Sequence, residues 1–283
     1  AATISVPIAS FRMCGGGSGA VRPKKISEEV DRLIDSGYKE ITLLGQNVNS
    51  YGNDREGECS FPQLLRRLCR REDKFRLRFM TSNPKDFGEE LVRAIAECPQ
   101  ICHLVHLPVQ AASDRILKLM NRKYTAAEYL RKVELLRKYV PDCQLTTDIM
   151  VGFPTETEED FRATLSLVRE AGFSTAFTFV YSRRSGTAAA KMEGQIPESV
   201  QKERIMRLVE LVNEQTREKS ACYRGRTIEI MCVDHDEKKG LYLGRDEYGR
   251  MGYFRSEKNR IGEFVRLKIG ETSGVSLMGE PAD

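Results

Sequence analysis

The side chains best suited to chemistry stand where apolar runs of this sequence end. Gln46 and Asn47 follow one such run, and their amide groups could hydrogen-bond a zwitterionic amino acid. Gly45, just before them, has no side chain and would let a ligand approach the backbone. The alternative interpretation is an ordinary polar loop after a strand.

Three further positions are candidates for binding. Asp148 lies inside the apolar run 144–151, where a carboxylate is costly unless paired, so it is either functional or a structural hydrogen-bond partner. Gln110 ends another apolar run. Arg122 follows a predicted helix, where it could pair with a carboxylate or complement the helix dipole. His106 is a lone histidine, and we interpret it as structural.

Alternating strand and helix patterns would position these side chains. The predicted strands are Ile4–Ile8, Glu40–Leu44, Phe75–Thr81, Cys102–Val109, Gln144–Val151 and Thr175–Tyr181. Helical segments separate them, which predicts a parallel sheet. Six strands are too few for a complete eight-stranded barrel. We therefore predict an α/β fold built on an open partial (βα)6 barrel, which would bind ligands at the carboxyl ends of its strands.

Capping residues predict where three helices begin. Ser27 precedes two glutamates and an apolar helical face, so it is predicted as an N-cap. Thr125 with Glu128 has the spacing of a capping box, and Thr155 with Glu158 has the same spacing.

The pattern changes after a long predicted helix over about residues 198–220. Short alternating runs split by glycines and charges follow, from Arg226 to Met278, and predict a small all-β barrel. We therefore predict a core domain over residues 1–220 and a β-barrel domain over residues 221–283.

Composition narrows the class of protein. The chain has 283 residues and a net charge of +4, which permits contact with nucleic acid without arguing for it. No apolar run reaches the roughly 18 residues of a membrane span, and no secretory signal is visible. We expect a cytoplasmic monomer. A basic run from Arg66 to Arg78 is interpreted as a solvated helix face, with phosphate contact as the alternative.

Eight cysteines are scattered through the chain, which indicates free thiols in a reducing compartment. Cys98 and Cys102 form the one tight pair. Position 105, where a third cluster ligand would be expected, is Val105, so we interpret the pair as structural. The histidines are too dispersed for a histidine-based metal site.

Five motifs, taken in order, carry a family resemblance: GQNVNSYG, RLRFMTSNP, HLPVQAASDRILKLMNRKYT, TDIMVGFPTETEEDF and FVYSRRSGTAAAKM. Together they closely resemble the methylthiotransferases of the radical S-adenosylmethionine (SAM) superfamily. The best match is the MiaB branch, which 2-methylthiolates N6-isopentenyladenosine next to the tRNA anticodon. The resemblance runs from about Ile4 to the C-terminus, and makes the C-terminal segment similar to a TRAM domain, a small β-barrel implicated in RNA binding.

The resemblance implies a 4Fe-4S cluster held by three thiolates, with one iron open to bind SAM. It implies cleavage of SAM to a 5′-deoxyadenosyl radical, hydrogen abstraction from an adenine C–H and insertion of sulfur, with a second SAM supplying the methyl group. The implied partners are tRNA and an electron donor such as flavodoxin or ferredoxin. By position, the SAM side of the cavity would be lined by Gln46, Asn47, Thr81, Ser82, Gln110, Arg122 and Asp148.

Two features depart from the family pattern. A C-x-x-x-C-x-x-C motif should lie between Ile8 and Arg22, but the 13 positions there hold one cysteine, Cys14, and a Gly-Gly-Gly-Ser-Gly tract. Cys14 is the candidate catalytic and cluster-binding cysteine, and two further ligands cannot be identified. The tract is an engineered splice, a misassigned segment or a native loop. The family also has an N-terminal domain with a second 4Fe-4S cluster, and we expect this sequence to begin after it.

The sequence thus predicts a radical SAM tRNA methylthiotransferase, truncated and lacking a full set of cluster ligands. Two alternatives stay open. One is a methylthiotransferase that acts on another tRNA base or on a ribosomal protein. The other is a non-catalytic RNA-binding remnant.

Overall fold

Strands and helices alternate through the N-terminal part of the chain. A computed structural model of the protein describes residues 8–12, 21–45, 47–53, 59–80 and 82–282. In these ranges the core strands are β1 (Ile8–Arg12), β2 (Glu40–Leu44), β3 (Arg76–Phe79), β4 (Leu104–His106), β5 (Gln144–Val151) and β6 (Thr175–Val180). The accompanying helices are α1 (Pro23–Asp35), α2 (Phe61–Leu68), α3 (Glu89–Glu97), α4 (Asp114–Leu119), α5 (Ala126–Tyr139), α6 (Glu158–Ala171) and α7 (Ala188–Lys191).

The six core strands form two three-stranded parallel sheets, which a bridge between Leu77 and Ile101 joins into one open layer. β1, β2 and β3 pair in that order, and so do β4, β5 and β6. The two halves are joined where the amide of Leu77 donates to the carbonyl of Gln100 at 2.7 Å and the amide of Cys102 donates to the carbonyl of Leu77 at 3.0 Å. The predicted α/β fold with an open partial barrel is confirmed.

One face of this sheet is covered by helices and the other is left partly open. Alternate side chains of a strand point to opposite faces. On β5, Ile149 and Val151 are fully buried in the main core, whereas Asp148 and Met150 on the other face are only partly buried. The open inner face is therefore where polar side chains can meet a ligand.

Most predicted strand bounds agree with the structure to within a few residues, and β2 and β5 have the predicted bounds. β1 is displaced: it occupies Ile8–Arg12, while predicted positions 4–7 lie outside the described residues. The paired stretch of β4 is also shorter than predicted, at Leu104–His106.

The start of α6 differs from the prediction. The helix begins at Glu158 and is capped by Thr157, whose hydroxyl accepts from the amide of Asp160 at 3.2 Å. Thr155 cannot be the cap, because its amide donates to the carbonyl of Gly194 and its φ of 68° lies in the left-handed region. The predicted box at Thr125 and Glu128 is confirmed, with both reciprocal hydrogen bonds present.

The start of α1 also differs. The helix begins at Pro23, whose fixed φ suits the first helical position. Ser27 is therefore inside the helix, and its hydroxyl donates to the carbonyl of Pro23 at 3.1 Å instead of capping.

A long helix, α8 (Glu198–Ala221), packs on β6 and leads into a closed five-stranded barrel. The barrel strands are β7 (Thr227–Asp236), β8 (Leu241–Asp246), β9 (Met251–Phe254), β10 (Phe264–Ser273) and β11 (Ser276–Pro281). Ile230, Phe254 and Leu267 are fully buried inside it. The predicted small all-β barrel is confirmed.

The barrel docks at the amino ends of the core strands. Arg78 on the inner face of β3 is 5% exposed, and its Nε and Nη2 each lie 3.0 Å from a carboxylate oxygen of Glu40. Arg78 also donates to the carbonyl of Asp246, and Arg76 donates to the carbonyl of Glu229 at 2.8 Å. The interpretation of the basic run as a solvated helix face is therefore wrong for Arg76 and Arg78, which join the core to the barrel.

None of the described helices combines the length and the apolar character that a membrane span needs.

Candidate functional site

A row of contacts crosses the inner face near the carboxyl ends of β3 to β6. The amide of Ser82 donates to the carbonyl of His106 at 3.1 Å. Nε2 of His106 lies 3.6 Å from a carboxylate oxygen of Asp148. The ring of Phe177 meets the ring of His106 edge to face, with 5.9 Å between centroids. The segment after β3 thus joins the row through a backbone amide, and β4, β5 and β6 each contribute one side chain to it.

The fold fixes His106 from β5. Its Nδ1 lies 2.9 Å from the hydroxyl of Thr146, a contact that leaves Nε2 turned toward Asp148. His106 is 8% exposed, so the ring is both a structural contact and part of the wall of the site. The sequence analysis assigned only the structural role.

Gln110 sits at the carboxyl edge in a constrained backbone conformation. Its φ of 68° is uncommon for a residue other than glycine. The amide of Gln110 donates to the carbonyl of Asp148 at 2.8 Å, and its carbonyl accepts from the amide of Met150 at 2.8 Å. β5 therefore holds this residue in place, directly beside Asp148.

Asn47 and Ser82 lie on adjoining segments but differ in their bonding. The side-chain oxygen of Asn47 accepts from the amide of Asn83 at 3.1 Å, and its amide donates to the carboxylate of Asp86 at 3.3 Å. Asn47 thus already serves to tie two loops together. The hydroxyl of Ser82 is buried and has no hydrogen-bond partner among the described residues. Because an unsatisfied buried hydroxyl is costly, Ser82 is the residue here that most needs a ligand.

Arg122 follows α4 and lies close to Tyr124. Burial raises the pKa of Tyr124 to about 12, and the nearby Arg122 opposes that rise. The Nε atom of Arg122 is buried and has no partner within the described chain. The structure shows Arg122 close to Tyr124 but records no contact between it and Ser82, Gln110 or Asp148.

Three predicted site residues, Cys14, Gln46 and Thr81, lie outside the described residues. Elsewhere in the described chain, no group of three or more histidine, cysteine or acidic side chains could hold a metal ion. Cys98 and Cys102 are both buried and free. Burial raises the pKa of Cys102 to about 11, which keeps it a neutral thiol.

Sequence reasoning missed two aromatic residues of this face. Phe177 and Phe179 lie on β6, 54% and 48% exposed. The register pairs Phe177 with Asp148 and Phe179 with Met150, so both rings share the inner face with the site. Their alternation with the small residues Ala176 and Thr178 was the available signal.

A sequence model of the radical SAM superfamily matches residues 12–168. This match covers β2 to β5 of the open partial barrel, called the half-barrel from here on, and ends before β6. The chain belongs to the radical SAM superfamily.

Curated relatives narrow the comparison. The chain is 49% identical over 261 residues to a Clostridium botulinum protein named tRNA-2-methylthio-N(6)-dimethylallyladenosine synthase, and 46% identical over 262 residues to the Clostridium perfringens protein of that name. The matches cover 91% and 92% of this chain but only 58% of each relative. The resemblance to MiaB-type methylthiotransferases is confirmed, for a chain that spans somewhat more than half of their length.

A solved structure supports the fold. The radical SAM methyltransferase TsrM from Kitasatospora setae superposes with a TM-score of 0.51 at 17% identity, over 62% of this chain and 37% of that one. This similarity supports the half-barrel architecture alone.

Proposed function

We propose that the chain is the core and C-terminal barrel of a protein that adds a methylthio group to C2 of N6-isopentenyladenosine in tRNA, next to the anticodon. The observation that carries the proposal is the 49% identity, across 91% of this chain, to a relative named for the dimethylallyl (isopentenyl) form of that nucleoside. The row from Ser82 to Phe177 supplies a polar and aromatic surface at the edge where open parallel sheets bind ligands.

The residues present fit SAM but not the iron–sulfur cluster. A cluster of this class needs three thiolates, and the stretch that should supply them contains only Cys14. The SAM side is better supported, because Ser82 and Arg122 offer buried polar atoms that have no hydrogen-bond partner among the described residues. We assign SAM binding to Gln46, Asn47, Thr81, Ser82, Gln110, Arg122 and Asp148.

These side chains suggest a division of tasks. SAM, when bound, supplies the methyl group and the adenosyl group of the reaction. Asp148 would accept hydrogen bonds from its ammonium or ribose hydroxyls, and Gln110 is held beside Asp148 by two backbone bonds. Arg122 would pair with its carboxylate. The half-open inner face leaves room for the tRNA base next to them.

The cysteine content favours a second candidate, a non-catalytic RNA-binding protein. It would keep the fold and the tRNA surface without cleaving SAM. It rests on the same observation that makes the cluster a poor fit, the single cysteine between Ile8 and Arg22.

One experiment separates the two. The protein is reconstituted anaerobically, its iron and sulfide are counted, and it is incubated with SAM, reductant and isopentenylated tRNA before nucleosides are analysed by mass spectrometry. About four irons per chain with a methylthio nucleoside would support the enzyme and require ligands beyond those identified. Near-zero iron, no product and retained binding of the tRNA would support the second candidate. No binding of the tRNA would contradict both.

The proposal also includes a domain boundary, a cellular location, an oligomeric state and an electron donor. We place the domain boundary near Ala221, the protein in the cytoplasm as a monomer, and a flavodoxin or ferredoxin as its electron donor. Relatives named for tRNA modification support the tRNA partner.

A further inference from the structure

Two exposed phenylalanines form an aromatic strip on the open edge of the half-barrel. Phe177 and Phe179 expose about half of their surface, although both belong to a strand whose other face is covered by α8. Exposed apolar surface of this kind usually marks a binding site, because leaving large rings in water is unfavourable. The question is which ligand they contact.

The strip starts at the polar row and rises to the carboxyl edge. Phe177 touches the ring of His106, which in turn faces Asp148. Phe179 is paired with Met150, whose amide donates to the carbonyl of Gln110. A ligand lying on the strip would therefore reach the same residues that we assign to SAM.

The chemistry of the strip is that of a stacking surface. A phenylalanine ring has no donor or acceptor, so it favours flat, apolar groups over sugars or phosphates. Nucleobases stack on such rings, and an alkyl substituent on the base adds further apolar contact. An adenine that carries an N6-isopentenyl group offers both features in one ligand.

Positive charge is found at two further places on the described surface. Arg184 is exposed just beyond the end of β6. Past the ends of β3 and α4, a cavity of about 360 Å³ is lined by the four cations Lys85, Lys123, Arg131 and Lys132 and one carboxylate, Glu128. Cations of this kind would attract the phosphate backbone of an RNA whatever its base sequence.

We infer that Phe177 and Phe179 select the isopentenylated adenine of the RNA, by stacking on its base and contacting its isopentenyl group. This inference rests on the proposed function. It assigns specificity to β6, whereas the cations provide affinity that does not depend on the base.

The test compares two anticodon stem-loop RNAs that differ only in the N6-isopentenyl group. Affinities are measured by fluorescence anisotropy at one fixed salt concentration for the wild type, Phe177→Ala, Phe179→Ala and the double variant. We expect the wild type to bind the isopentenylated RNA about tenfold more tightly, and the double variant to lose most of that preference. Phe177→Leu and Phe179→Leu, which keep apolar contact but not the ring, should retain part of it.

Two controls separate selectivity from general binding. Met206→Ala removes an apolar side chain that is 64% exposed on α8, outside the strip, and should leave the preference intact. Arg184→Ala and Lys123→Ala should lower the affinity for both RNAs to the same extent and reduce the salt dependence of binding. Circular dichroism confirms that each variant is folded.

The outcomes distinguish this inference from the proposed function. A wild type that binds both RNAs equally would contradict the proposed function itself. The wild type could prefer the isopentenylated RNA, and the folded Phe177→Ala, Phe179→Ala double variant could keep that preference. This result would overturn the inference and leave the proposed function standing. Loss of the preference in that variant, with Met206→Ala unchanged, supports it.

Discussion

His106 shows how one side chain can connect the two halves of the site. It contacts Thr146 and Asp148 on β5 and Phe177 on β6, so it lies between the polar and aromatic parts of the inner face. The sequence placed Gln110 at a strand end and Asp148 inside a strand, and the family resemblance added Ser82. In the structure His106 contacts both Ser82 and Asp148, and the amide of Gln110 donates to the carbonyl of Asp148. The sequence alone could not identify the role of His106, because the contacts that define this role come from strands distant in the sequence.

Asp148 provides the most direct test of the polar row. Asp148→Ala should weaken SAM binding about tenfold, because it removes a charged acceptor from the site. Equilibrium dialysis on the anaerobically reconstituted protein measures the change. Asp142→Ala is the matched control, since Asp142 bonds to His103 and Tyr248 near the opposite end of β5. Equal SAM affinity in Asp148→Ala and the wild type would remove Asp148 from the site.

Asp160 is the residue whose ionisation should be visible in stability. Burial opposes its charge, but hydrogen bonds from Ser113, the amide of Thr157 and Arg115 outweigh burial and lower its pKa to about 2. An unfolded aspartate titrates near 3.9. The ionised form therefore stabilises the fold above about pH 4, and that contribution is lost as the pH falls toward 2.

Asp160→Asn should lower the free energy of unfolding at pH 7 by about 2 kcal/mol, and the difference should shrink below pH 4. Urea unfolding followed by circular dichroism across a pH series measures it. Glu159→Gln, an exposed neighbour in the same helical turn, should change stability by less than about 0.5 kcal/mol. A deficit that is the same at pH 3 and pH 7 would show that Asp160 acts by packing and not by charge.

At the scale of elements, the sequence predicted the order and type of the core strands. The bounds of β2 and β5 were right because a glycine directly follows each strand, Gly45 after β2 and Gly152 after β5. The start of α1 was wrong because Pro23 itself begins the helix, four residues before Ser27. The start of α6 was wrong because a contact distant in the sequence decides between two neighbouring caps. Thr155 lies outside the helix, where its amide donates to the carbonyl of Gly194. The spacing of residues in the sequence cannot predict this contact.

The turn between β8 and β9 is one of the contacts between the C-terminal barrel and the core. Gly249 in this turn has a φ of 83°, and an added Cβ would come within 2.5 Å of Cδ2 of Leu104. Gly249→Ala should therefore destabilise the protein by more than backbone strain alone, which costs about 1 kcal/mol. Thermal unfolding is compared with that of Gly274→Ala, which has a φ of 55° and open space around the added methyl group. Equal losses in the two variants would mean that the contact with Leu104 gives way at little cost.

In the whole molecule, the candidate site and the attachment of the C-terminal barrel lie at opposite ends of the half-barrel. The candidate site lies at the carboxyl ends of the strands, and the C-terminal barrel is attached at the amino ends through Arg76 and Arg78. The sequence could not show this arrangement, because an arginine in a basic run looks solvated until its distant partners are known.

Arg78 should couple the stability of the two parts. Its removal would leave Glu40, which is 1% exposed, without its guanidinium partner, and breaking a buried pair in this way typically costs about 3–5 kcal/mol. Arg78→Ala is compared with Arg162→Ala, whose ion pair with Glu158 is largely exposed and should matter by less than about 1 kcal/mol. Similar urea midpoints for the two variants would show that Arg78 does not hold the parts together.

The proposed function rests on recognition of isopentenylated tRNA. The decisive measurement is the affinity of the whole chain for one tRNA prepared with and without the N6-isopentenyl group beside its anticodon, at equal salt. We predict tighter binding of the isopentenylated tRNA, because on our proposal its base and alkyl group would contact the inner face beside the residues assigned to SAM. Equal affinity for the two tRNAs, or no binding of either, would contradict the proposed function.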